Sequence, residues 1–301
     1  MGYGFLTGVK GLQYRPNLLI NGDFLINQMG GASYTLGASR TYTVDQWSLF
    51  YNAAISSATV TPISGGGATV ACTLTTSGNY NVFGQDIEFL DYFKGKVFTI
   101  SAKLSSVSAN AFIGVYDGVD NYRSAAVSED GVVKITFRMN AGASRFLVYI
   151  GFNGVQTHTV NVEWAQAQFG AVFMPFVSPD PATELVRCQR FFYIIKKTDN
   201  YTEYGIGWAT SLTVATIMID VPTMRVTPTL IVSGNGDFAI RNGANYITAT
   251  SSVTPPSLRA YVGKTALVQF TTTLNMATDY TVTSLRSNVS GSWIAFDARQ
   301  Y

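Results

Sequence analysis

Charge is scarce in this chain of 301 residues: Asp, Glu, Lys and Arg make up only 13% of it, about half the ~25% usual for soluble domains. Ser, Thr, Asn, Gln and Gly must therefore keep the surface wet, which suits β structure and subunit contacts, because uncharged polar groups cost less to bury than ions. The net charge is +2. No basic stripe stands out beyond the pair Lys196 and Lys197, so the clustered cationic footprint of a nucleic-acid binder is missing. Histidine occurs once, as His158, which excludes a metal site built on several histidines. It also leaves one candidate base for any Ser-His or Cys-His arrangement. His158 stands between two threonines beside a predicted strand start and reads as an exposed loop residue. The two cysteines, Cys72 and Cys188, allow no disulfide framework and no zinc pattern; they read as buried apolar thiols. No apolar run approaches the ~18 residues of a membrane span, so no membrane insertion is expected. The first 14 residues lack the charged and apolar regions of a secretory signal.

What is present in abundance is period-two alternation. Phe98, Ile100, Ala102 and Leu104 alternate with polar residues, as do Val133, Ile135, Phe137 and Met139, and Val160, Val162 and Trp164. Further strands are expected at 111–116, 146–152, 216–221, 227–233, 245–249, 266–273 and 280–285. Turn residues separate them at Asp117-Gly118, Asp130-Gly131, Asn153-Gly154, Gly234 to Asp237 and Arg241 to Gly243. Short strands at this spacing predict an all-β chain of two domains: an N-terminal jelly-roll β-sandwich over 17–178 and a second β-sandwich-like domain over 179–301. The run Ser178 to Pro181 breaks the ladder. Asp180 and Pro181 then suit the start of one short helix at the junction.

Sugar hydrolysis needs two carboxylates across a cleft; Asp86, Glu88, Asp91, Asp117, Asp120, Glu129, Asp130 and Glu163 are candidates by residue type alone. Recognition of a sugar needs flat aromatics for its C–H faces and amides or carboxylates for its hydroxyls. Tyr80 and Asn81, and the run Asp117, Asp120, Asn121, Tyr122 and Arg123, have these residue types in predicted loops, where binding residues concentrate. The same residues also suit an ordinary turn or a subunit contact.

Three stretches resemble known virion modules. Asn17–Phe24 (NLLINGDF), continuing LINQMG to Gly30, with YTVDQW at 42–47, is similar to the opening of the carbohydrate-binding-module-like jelly rolls of phage tail-fibre proteins. Met29 and Gln46 stand where arginine is usual there. Residues 162–176 resemble the closing strand of that module. Residues 184–192 (ELVRCQRFF), 221–229 (VPTMRVTPT) and 293–299 (WIAFDAR) resemble phage tail-fibre C-terminal domains. Asn21-Gly22 reads as a tight turn, Phe24 and Ile26 as core, Asp45 as an acceptor for loop amides and Trp47 as the plug of the sandwich. The resemblance implies a non-enzymatic virion protein, on a phage tail or capsid surface and commonly a homotrimer. It would dock on other virion proteins through segment 1–16 and contact a bacterial surface glycan. No cofactor is expected beyond a structural calcium ion, with Asp23 and Glu163 as ligands by analogy. Two alternatives stay open: a purely structural head or tail decoration protein, and a glycan depolymerase.

Overall fold

A computed structural model of the chain describes residues 17–242, 245–248, 256–272, 276 and 282–299. Segment 1–16 lies outside them, as do Gly243, Ala249, Thr273, Tyr280 and Thr281 from the expected turns and strands. The chain divides into two compact units, one up to Pro181 and one from Ala182.

The first unit contains β1 (Tyr34–Thr35), β2 (Thr41–Tyr42), β3 (Ser48–Leu49), β4 (Ile55–Pro62), β5 (Ala68–Leu74), β6 (Asn79–Asp86), α1 (Leu90–Phe93), β7 (Val97–Ser105), β8 (Ala111–Tyr116), β9 (Asn121–Arg123), β10 (Gly131–Arg138), β11 (Leu147–Asn153) and β12 (Thr157–Phe169). They pair antiparallel into two six-stranded sheets, in the orders β1-β4-β5-β12-β7-β10 and β2-β3-β6-β11-β8-β9. This is the expected all-β sandwich. The residues that alternate in the sequence fill the space between the sheets: Phe98, Ile100, Ala102 and Leu104 from one, Val82, Ile113, Val115, Val148 and Ile150 from the other.

The opening motif is structural. Trp47 is fully buried, with ring centroids 4.7 Å from Phe24 and 5.0 Å from Phe83. Its indole Nε1 donates to the carbonyls of Ile20 (3.1 Å) and Asn21 (3.0 Å). Removing so large a buried ring from a core costs about 3–5 kcal/mol. The Asn21 amide nitrogen donates to Ile26 O (2.8 Å) and Asp45 O (3.1 Å). Asp45 accepts from the backbone of Gln28 at 2.7 Å, as expected. Gly22 sits where a Cβ would run into the Asn17 amide and the Ala165 carbonyl. That clearance lets Ala165 N donate to Gly22 O at 2.7 Å, so the opening segment is sewn to the closing strand.

Three expectations fail here for physical reasons. Trp164 does not continue the inward face of β12. The register slips between Val162 and Trp164, and one extra residue moves every later side chain to the other face. Ala165 and Ala167 therefore point into the core, and Trp164 stacks outside on Phe176 at 5.0 Å. His158 is wholly buried rather than exposed. It lies on β12 against Phe152 (4.9 Å), with its ring nitrogens 3.1 Å from Ala109 O and 3.0 Å from Gly154 O. Ile26 is only half-buried, and segment 24–26 forms no strand.

At the boundary of the units stands α2 (Pro181–Gln189), which starts at the proline the sequence assigns to the first helical position. Then follow β13 (Phe192–Lys196), β14 (Glu203–Ala209), β15 (Val214–Asp220), β16 (Thr229–Val232), β17 (Phe238–Asn242), β18 (Asn245–Thr248), β19 (Ser257–Val262), β20 (Thr265–Thr271), β21 (Val282–Ser287) and β22 (Trp293–Asp297). They form a three-stranded sheet, β13-β22-β16, and a seven-stranded sheet, β18-β17-β21-β14-β15-β20-β19. Gly234 to Asp237 is not a hairpin turn: Asn235–Asp237 is a 3-10 turn that carries the chain from one sheet to the other. Ile217, Ile219 and Val221 face the core together, as their alternation predicts. Among the described residues no helix is long and apolar enough to cross a membrane.

Candidate functional site

The two sequence-predicted clusters lie at opposite ends of β11. Tyr80 pairs across from Phe152, whereas Leu147, at the other end of the strand, pairs with Tyr116, the residue before Asp117. Tyr80 and Asn81 are on strand β6, not in a loop. The Tyr80 ring packs half-buried against the core and its hydroxyl meets Thr76 Oγ1 at 2.7 Å. Asn121, Tyr122 and Arg123 likewise form strand β9 rather than a loop. Alternation on β9 sends Tyr122 inward, 4.7 Å from the Phe137 ring. It sends Asn121 and Arg123 outward to the Tyr149 hydroxyl, at 2.5 Å and 3.3 Å.

Asp117 has no exposed surface. One carboxylate oxygen accepts from the backbone of Val119 (2.9 Å) and Asp120 (2.7 Å), the other from the backbone of Asn140 (2.9 Å) and the hydroxyl of Tyr122 (3.4 Å). Burial pushes its carboxyl up, but these donors outweigh burial and hold it below the usual carboxylate range. The Tyr122 phenol is pushed up to about 12, first by burial and then by the charges of Asp117 and Asp120. Gly118 has φ +91°, and a Cβ there would strike Ser144 Oγ. Asp117 and Asp120 share the Tyr122 hydroxyl, but with both Asp117 oxygens filled and out of solvent the pair holds a loop rather than flanking a substrate. The exposed member is Asp120, which accepts from the Asn140 amide at 3.0 Å.

Next to this turn lies one that residue type did not reveal. Segment 87–96 is tied to segment 139–146 by Ile87 N to Phe146 O (2.8 Å) and Gly95 N to Met139 O (3.1 Å). Segment 139–146 is tied in turn to the Asp117 turn by Ser144 N to Asp117 O (2.9 Å). Three loops thus meet at one end of the sandwich. The one-turn helix α1 is pinned by Phe93, which packs on Phe98 (5.6 Å) and Phe146 (5.7 Å). With Phe93 inside, Phe89 and Tyr92 are left outside, 71% and 60% exposed. Phe89 stands at φ 63°, ψ 38°, a left-handed conformation that is rare and strained for a bulky residue. Around these rings stand Asp91 with Lys94 (2.7 Å) and Lys96, whose ammonium lies 3.4 Å from the Tyr92 ring centroid. On the tied segment 139–146, Arg145 grips Asp86 through Nε (2.5 Å) and Nη2 (2.8 Å), while Arg40 reaches the same carboxylate at 2.8 Å. The one cue in the sequence was the aromatic density of Phe89, Tyr92 and Phe93 around a charged turn.

The calcium candidates are otherwise engaged. Glu163 pairs with Lys103 at 2.6 Å, and the Lys103 hydrogen bond chiefly holds its carboxyl low. Asp23 accepts from Ser178 Oγ at 2.5 Å. Two carboxylates so occupied fall short of the six to eight oxygens calcium takes, and among the described residues no three His, Cys, Asp or Glu side chains gather as a metal ion would need.

No protein-family model matches the chain, and no curated protein is significantly similar to it. Among solved structures, weak likenesses run to carbohydrate-binding modules. One is the CBM22-1–GH10 portion of xylanase 10B from Clostridium thermocellum, complexed with xylohexaose (9% identity, TM-score 0.29, covering 55% of this chain). The chain spans only 30% of that structure. Another is the tandem CBM22-1–CBM22-2 domain of Xyn10C from Paenibacillus barcinonensis (11% identity, TM-score 0.30, covering 88% of this chain and 95% of that one). At these scores no residue correspondence is drawn from either.

Proposed function

We propose that the chain is a non-enzymatic protein of a phage particle, of tail-fibre or receptor-binding type, that recognises a glycan on the host surface through the loop end of its first unit. One observation carries the reading. The fold holds Phe89 in a strained backbone conformation and leaves it and Tyr92 in solvent, on loops cross-tied to a rigid sandwich. Solvent-facing rings near the ion pair of Asp91 and Lys94, with Asp120 and Asn140 on the loops tied to theirs, supply both halves of sugar recognition: a flat apolar face and fixed polar groups. The assignment to a virion rests on the sequence resemblance alone. The test is binding of the purified protein to a glycan array and to whole cells. Phe89→Ala and Tyr92→Ala should each weaken binding about fivefold, since a ring contact of this kind contributes about 1 kcal/mol, with unchanged thermal stability. A folded protein that binds neither glycan nor cell rejects the reading.

A second reading, structural decoration, is favoured by a feature of the second unit. Ile206, Met218 and Val282 lie side by side on strands β14, β15 and β21, 55%, 40% and 76% exposed. The neighbouring charges Glu203 and Arg286 neutralise each other at 2.6 Å. An exposed aliphatic face of this kind, with Arg241 at its border, suits a second copy of the chain, in line with the trimer that the resemblance implies. Its test is the oligomeric mass: Val282→Lys should dissociate the assembly, and a monomeric parent protein would remove this reading.

A further inference from the structure

We infer that the glycan is acidic and runs from the loop end along the edge strand β10, an extension that rests on the glycan reading above. Lys96, Arg138 and Lys134 form the cationic part of this track. Arg138 is joined to the Lys96 turn by its Nη1, which donates to Gly95 O at 2.6 Å. Lys134 and Arg138 both project from the exposed side of β10, roughly 13 Å apart at the usual rise of an extended strand. Aromatic rings accompany the cations. Lys96 lies 3.4 Å from the Tyr92 centroid and 5.9 Å from that of Phe169, and Lys134 lies 5.2 Å from that of Phe173.

Among the described residues, none of these three cations makes an ion pair. The nearby Asp91 already holds Lys94, and Lys103, on β7 next to the edge strand and paired across from Trp164, holds Glu163. In a chain so poor in charge, three unneutralised cations on one edge, two of them beside rings, are a concentration of a particular chemistry. Each ring holds its ammonium in place without cancelling its charge, and offers an apolar surface next to it. A sugar bearing a carboxylate or phosphate satisfies both at once: its C–H face meets the ring and its anion meets the cation. A neutral glycan uses only half of this surface.

The test is an array carrying uronate- and phosphate-bearing polysaccharides beside neutral ones, read with the full chain at 50 mM and 500 mM NaCl. Acidic glycans should bind at least tenfold more tightly than neutral ones, and the added salt should weaken that binding severalfold by screening. Lys134→Gln and Lys96→Gln should each weaken acidic-glycan binding about threefold or more with unchanged melting temperature. Lys103→Gln combined with Glu163→Gln, which removes a cation together with the anion that neutralises it, should change it little. Equal, salt-insensitive binding of neutral glycans would overturn the acidic assignment and leave glycan recognition standing. Binding of no glycan would overturn both. Equal retention of a single-stranded DNA oligomer would show an unselective polyanion patch and overturn the assignment to sugar.

Discussion

Two turns stand side by side at the loop end of the first unit, and they use their residues in opposite ways. The Asp117 turn has the composition of a binding loop, yet turns its charge inward, where four donors fill the carboxylate. The Phe89 turn has the composition of a core, yet turns two rings outward. Residue type states what chemistry a side chain can do; only its neighbours decide which way it faces. In the first turn the backbone N–H groups of Val119, Asp120 and Asn140 need an acceptor away from water, and Asp117 is that acceptor. In the second, Phe93 takes the inward position, and the short helix leaves its companions no other place.

The largest effect expected from this contrast is on stability. Asp117→Ala removes an acceptor that serves three backbone donors. With a buried donor costing about 1–3 kcal/mol when left unsatisfied and water relieving some of them, the loss should be about 2–4 kcal/mol in chemical unfolding. Phe89→Ala, which removes a mostly exposed ring, should stay within about 0.5 kcal/mol. Comparable losses at the two positions would break the contrast. The pH dependence sharpens it. A carboxyl held low in the fold contributes stability that is present above its unfolded value, near 3.9, and lost as pH falls through the folded value. The parent should therefore lose melting temperature more steeply below pH 4 than Asp117→Asn does. At the alkaline end Tyr122, pushed up to about 12, contributes stability present below about 10 and lost between there and 12. Tyr122→Phe should flatten that limb.

Much of the fold was legible in the sequence because the sandwich is written in a period of two. Phe98 to Leu104 and Ile217 to Val221 point where alternation sends them, and Trp47 plugs the core. Alternation fails where a single residue is inserted: nothing local to Glu163 announces the slip that turns Trp164 outward. The site was less legible. Asp120 does reach the loop end, but Tyr80 sits at the far end of the sheet and Tyr122 faces inward. Both readings took tyrosine as a surface residue, when each ring fills a half-buried place against the core. Phe89 was hidden for the converse reason. An aromatic three residues before another apolar residue in a short helix reads as core, and the left-handed φ that exposes it is set by tertiary ties from Ile87 and Gly95 to the neighbouring segment, which no local pattern encodes.

That left-handed φ allows the smallest and most discriminating measurement. A non-glycine residue in this region costs roughly 1–2 kcal/mol relative to the right-handed region, whereas glycine visits it freely. Replacing Phe89 by Gly relieves that strain, removes little buried surface because the ring is 71% exposed, and adds some freedom to the unfolded chain. The balance should be a stability gain of about 0.5–1 kcal/mol over the parent, visible as a small rise in melting temperature. A ring kept only for packing would give the opposite sign, since its removal would cost more than the strain it relieves. If Phe89→Gly is more stable and binds glycan less, the backbone strain is held for the sake of the exposed ring, and the outward turn is the functional one of the pair.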